Sequence, residues 1–165
     1  MGADIHFFCE RKTASLNYEG PKNIEEERDK KICEIINDKS LSERWVSADR
    51  WAQQVDGAWV HEEAYWSRNY YLFSILADVR NSGGVEPISY PRGVPKDAST
   101  GYLYSVKRWD SDAHSHSYFT LEELLKVDWN QYEKEYIEDF LKVIEELKCI
   151  DTDTKKVRIC FFFDN

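Results

Sequence analysis

The sequence predicts an α+β fold: a single domain, residues 1–165, with a mostly antiparallel sheet that includes the N- and C-terminal strands and is packed by three or four helices. Three observations predict it. The chain opens on an alternating run, "ADIHFFCER", and closes on an apolar one, "KKVRICFFFDN". Between them, the element order reads strand, helix, hairpin, helix, loop, helices. A length of 165 residues with 42% hydrophobic content suits one compact core.

In the opening run, side chains alternate faces, so Ile5, Phe7 and Cys9 point one way and Asp4, His6, Phe8 and Glu10 the other. "TASLNYEGPK" is a turn-rich break. Residues 22–40 then read as a charged helical insertion with a modest stripe of Ile24, Ile32, Ile35 and Ile36. Between Glu43 and Ser67, Asp56-Gly57 marks a hairpin between aromatic-rich runs, and two or three short strands are expected there. "SRNYYLFSILADVRN" is the clearest helix, because Leu72, Ile75, Leu76 and Val79 recur at helical spacing. Gly83-Gly84 is its expected end.

"GGVEPISYPRGVPKDASTGY" holds three of the four prolines and reads as a long loop. Thr120 and Glu123 have capping-box spacing, so a helix is expected from Leu121. Asp128 with Gln131 reads as a second cap. It opens a helix whose buried stripe is Trp129, Tyr132, Tyr136, Phe140, Val143 and Leu147. The last strand is expected to pair with the first.

Composition narrows the function. The net charge is −9 and no Lys/Arg cluster appears, which argues against a nucleic acid polymer as partner. A small anionic ligand needs only one or two arginines. The four cysteines are scattered with no CxxC pair, so neither a zinc knuckle nor a disulfide framework is expected, and the thiols read as reduced in the cytoplasm. The first residues lack the basic leader and apolar core of a signal peptide. His6 stands where a myristoylation motif wants Ser or Thr, and no segment is apolar enough to span a membrane.

The stretch "RWDSDAHSHSYFTLEELL" carries the densest chemistry. If extended, it puts Asp112, His114 and His116 on one side, and imidazole and carboxylate are good ligands for zinc, manganese or iron. Asp4 and His6 repeat the geometry on the first strand. Together the five would form a divalent-metal site if the segments meet. Without a metal, His114 or His116 could act as general base, oriented by Asp4 or Asp112. The plain alternative is a polar loop whose Asp112 and serines, Ser117 among them, cap backbone groups. No nucleophile elbow, P-loop or dinucleotide fingerprint is present.

The cations come next. Arg68 and Asn69 open the clear helix, and Arg80 and Asn81 close it. Their plain reading is salt bridging to Asp78, Glu62 or Glu63. Arg92 lies between two prolines with Gly93 beside it, which suits bidentate contact with a phosphate or carboxylate. Trp45, Trp51, Trp59, Trp66 and Trp109 are either core or stacking surfaces for a planar ring, and Trp109 is the best pocket candidate.

Four motifs in order, "MGADIHFF.E", "RNYYLFSILADVRN", "PRGVPKDAS" and "WDSDAHSHSYFTLEEL", resemble a family of small, mostly uncharacterised bacteriophage and prophage proteins. The resemblance covers the first strand and roughly residues 68–125, not the 22–40 insertion or the last forty residues. It implies an accessory role in the host cell cytoplasm, of the kind that evades nucleotide-signalling immunity. The leading expectation is therefore a homo-oligomeric sponge for a small phosphate-bearing ligand such as a cyclic or ADP-ribose-type nucleotide. In it Arg68, Arg80 or Arg92 would hold phosphate, Trp109 or a tyrosine would stack on the base, and Asp4, His6, His114 and His116 would bond ribose or base edges. The alternatives are a metal-dependent hydrolase or phosphodiesterase built on Asp4, His6, Asp112, His114 and His116, and a module that blocks a host protein.

Overall fold

The computed structural model describes residues 2–14, 43–48, 53–55, 58–60, 65 and 67–165. A four-stranded antiparallel sheet organises them. Its strands are β1 (Ile5–Ala14), β2 (Glu43–Ser47), β5 (His114–Thr120) and β6 (Val157–Phe163), in the order β2-β1-β6-β5. The terminal strands pair as expected, from Ile5 opposite Phe163 to Arg11 opposite Val157. A separate ribbon joins β3 (Gln53–Val55) to β4 (Ala58–Val60), on either side of Asp56-Gly57. The charged segment 22–40 lies outside the described residues.

Strand alternation gives the sheet two unlike faces. Ile5, Phe7 and Cys9 of β1 join Ile159, Phe161 and Phe163 of β6 in the main core. Against it pack α1 (Tyr70–Ala77), α3 (Leu121–Lys126) and α4 (Lys134–Leu147). The opposite face carries Phe8, Cys160 and Phe162, covered by Tyr102 and Val106 of α2 (Thr100–Trp109). β6 is buried along its whole length, which explains its unbroken apolar run.

Three sequence-based boundaries need correction. α1 ends at Ala77, not at Gly83-Gly84. Asp78 takes the left-handed conformation (φ 58°) and its N–H closes on the Phe73 and Ser74 carbonyls. α2 occupies residues whose first three were read as loop. Ser99 caps it by accepting from the Tyr102 N–H. Asp128 caps only a short 3-10 turn, Trp129–Gln131, and α4 starts later, behind Glu133. The later start rephases the stripe. Ile137, Phe140, Ile144 and Leu147 are the buried positions, while Tyr136 is half exposed. The Thr120–Glu123 capping box forms in both directions. No described helix is long and apolar enough to cross a membrane.

Candidate functional site

The α2-covered face of the sheet holds two polar clusters, one toward each end of the β1–β6 pair. The first surrounds Glu10 and Arg158, which are 0% and 4% exposed and lie opposite each other in register. Arg158 Nε donates to Glu10 Oε2, and its Nη1 donates to Asp97 Oδ1 over 2.9 Å. The Ser99 N–H supplies the other Glu10 oxygen at 2.7 Å, and the Cys160 thiol lies 3.3 Å from Oε2. The guanidinium carbon lies 4.0 Å from the centre of the Trp45 ring, and Trp45 gives its indole N–H to Asp97. Burial opposes the charge on Arg158, but Glu10 and Asp97 together help to outweigh it, so the guanidinium stays protonated. Burial also pushes the Cys160 thiol well up, so it is no thiolate nucleophile.

The second cluster gathers the histidines. His6 lies opposite Phe162, and the two rings stack at 4.7 Å. Trp109, at the end of α2, covers the His6 ring at 4.4 Å and remains 37% exposed. His116, on the neighbouring strand, meets Phe162 at 5.4 Å. Trp109, His6, Phe162 and His116 thus form a row of rings across four elements. His6 Nε2 contacts Asp164 Oδ2 at 3.1 Å, and the other Asp164 oxygen accepts the Asp4 N–H.

This cluster differs from the first in one respect. The Nε2 atoms of His114 and His116 are both buried, and neither has a hydrogen-bond partner among the described residues. His114 uses its other nitrogen on the Ser115 hydroxyl at 3.0 Å. Burial, with His114 nearby, lowers the His116 pKa below 6.5, so His116 is neutral at physiological pH. Orphaned buried polar atoms are uncommon in folded proteins and cost stability.

Local backbone places these rings. Between His114 and Ser117 the register with β6 slips by one residue, and Ser115 takes a left-handed φ of 52°. The bulge breaks plain alternation: His114 lies opposite Phe163, the rings 6.1 Å apart, whereas His116 meets Phe162 on the α2-covered side. β5 is the sheet edge, and the proline loop closes it. The Gly93 N–H donates to the His116 carbonyl at 2.8 Å, and the Arg92 N–H donates to Ser117 Oγ at 3.2 Å. Gly93 sits at φ 85°, where a residue with a side chain would be strained.

The sequence-predicted residues therefore separate. His6, Trp109 and His116 come together around Phe162, with the Arg92 backbone alongside, while His114, close enough to His116 to influence its charge, has its ring near Phe163. The Arg92 guanidinium is engaged by Glu123 at 2.9 Å and the Tyr118 carbonyl at 3.1 Å, over the Phe119 ring. Arg68 pairs with Asp4 through two 2.7 Å bonds and not with Asp78, while Glu62 and Glu63 lie outside the described residues. That pairing holds the Asp4 carboxyl below its usual range. Asn69 caps α1 through the Leu72 N–H, and Asn81 bonds Asp78 and Val85. Arg80 lies over the Tyr70 ring. Asp112 sits exposed in a 3-10 turn before the strand begins.

The expected five-residue metal set does not assemble: among the described residues no three His, Cys, Asp or Glu side chains are grouped to hold an ion. Asp4 is turned to Arg68, and the turn removes Asp112 from the face of the histidines. Of the tryptophans, Trp45 belongs to the closed cluster, and the side chains of Trp51, Trp59 and Trp66 lie outside the described residues. Sequence reasoning missed Asp164 and Phe162, which pairing the first strand with the last in register would have found. It also missed the Glu10–Arg158 pair, whose members are 148 residues apart. No family model, curated protein or solved structure matches the chain.

Proposed function

We propose that the protein binds a small nucleotide-like ligand at the histidine cluster, as a sponge and not through turnover. The observation that carries this reading is the pair of buried, unpartnered Nε2 atoms on His114 and His116. A bound ligand with matching polar atoms would supply their missing hydrogen bonds. Trp109, partly exposed above His6, offers a face on which a base can stack. In the phage setting implied by the resemblance, the ligand is a nucleotide-derived immune signal in the host cytoplasm.

The phosphate end requires an exchange. Arg92 is tied to the site through its backbone, and its partner Glu123 is partly exposed, so a ligand phosphate can replace that carboxylate. A hydrolase is the second reading, favoured by the His6–Asp164 contact, in which a carboxylate orients an imidazole.

The test is a melting-temperature screen with ADP-ribose, cyclic dinucleotides and inorganic phosphate, since a ligand that binds only the native state raises its stability. At least one nucleotide should raise the melting temperature, and His114→Ala with His116→Ala should abolish the rise. Mass spectrometry after heat release should return that nucleotide intact, whereas an altered one favours the hydrolase. If no probe shifts the transition, the reading fails.

A further inference from the structure

On the opposite side of the sheet, α3 and α4 flank a groove of about 370 Å³. Trp129, Leu141 and Ile144 line it, with Leu125 exposed beside them. Four charged residues of α4 also border it, in the order Lys134, Glu138, Lys142, Glu145. The signs alternate along the helix: plus, minus, plus, minus.

That order is self-complementary. When an identical helix is laid antiparallel about a two-fold axis near the middle of the stripe, Lys134 faces Glu145 of the copy, Glu138 faces Lys142, and the reciprocal pairs follow. The same operation brings Leu141 of each copy to the axis, over the apolar groove. The stripe is three helical turns long, about 16 Å at 1.5 Å per residue. We infer that this face is the contact between two copies of the chain.

Charge singles out this face. The chain carries a net −9, so two copies repel at most approaches. The stripe contributes two positive and two negative groups and is locally neutral. A nucleic acid or an anionic membrane would find no net positive patch on it. The present partners of Lys142, Asp139 at 3.1 Å and Glu138 at 4.0 Å, are exposed same-helix pairs, which are weak and easily exchanged for pairs across the axis. This inference stands independently of the ligand reading.

The test is sedimentation of the full chain from low to high micromolar concentration. Wild type should form a dimer. Glu138→Lys sets lysine against lysine across the axis and Lys142→Glu sets glutamate against glutamate, so each variant alone should weaken the dimer about tenfold or more. An equimolar mixture of the two variants restores both opposite-sign pairs and should return the dimer, as should the doubly exchanged chain. A wild type that stays monomeric overturns the inference, and so do single variants that dimerise like wild type or a mixture that does not recover.

Discussion

Two polar clusters share one face of the sheet, and they differ in how completely they are satisfied. Around Glu10 and Arg158 each charged group has its partners: a backbone N–H, a second carboxylate, an indole N–H and an aromatic face. Around His114 and His116 the imidazoles are sunk into the same sheet, yet two nitrogens have no partner among the described residues. A closed network holds a fold together, because everything it needs is supplied from within. An open one costs stability until something else arrives. The lesson is to look for function at the cluster with the weaker internal bonding.

The largest effect should come from the closed cluster. Arg158→Met leaves Glu10 as an uncompensated buried charge and should destabilise the protein by about 3–5 kcal/mol in urea unfolding. Removing both charges, as Glu10→Gln with Arg158→Met, should recover a large part of that loss. If the single variant costs less than the double, the cluster is not a mutually dependent pair.

The open cluster should respond with the opposite sign. His116→Leu deletes an orphaned nitrogen and keeps the apolar contact with Phe162, so the ligand-free protein should gain about 1–2 kcal/mol. The same change should remove the nucleotide-induced rise in melting temperature.

The pH dependence follows from burial. As the pH falls below 6.5, unfolded chains take up a proton that native His116 resists, because its pKa is lowered. Wild-type stability should therefore be level above that value and decline beneath it, until the native imidazole also protonates. His116→Leu should flatten this decline, which a urea series across the range will measure. An undiminished slope in the variant would assign the effect to another group.

The smallest effect concerns Arg92. Glu123→Gln retains a side chain able to close the capping box but weakens the hold on a partly exposed guanidinium, so stability should drop by only about 0.2–1 kcal/mol. Affinity for an anionic nucleotide should rise, as titration calorimetry would show.

Local signals made much of the fold legible. Alternation in β1, the capping box before α3 and the stripe of α1 are each written within about a dozen residues, and each appears in the structure. What needed distant partners was not legible. Glu10 reads as an ordinary polar-face residue until Arg158 lies opposite it. The α4 stripe slipped because Trp129 and Tyr132 precede the helix and carry the wrong phase into it. At the site, His6, Trp109, His114 and His116 could be named in advance because their residue types are rare and clustered. Their arrangement could not, because it depends on a bulge at Ser115 and on Phe162 in the last strand.

The stability of ligand-free His116→Leu against wild type, measured by urea unfolding at neutral pH, tests the central claim most directly. A variant more stable than wild type by about 1–2 kcal/mol would mean that the fold tolerates this imidazole at a cost, as a site awaiting a ligand does. A variant less stable by a similar amount would mean that His116 holds the structure together, and the distinction between an open and a closed cluster would fall.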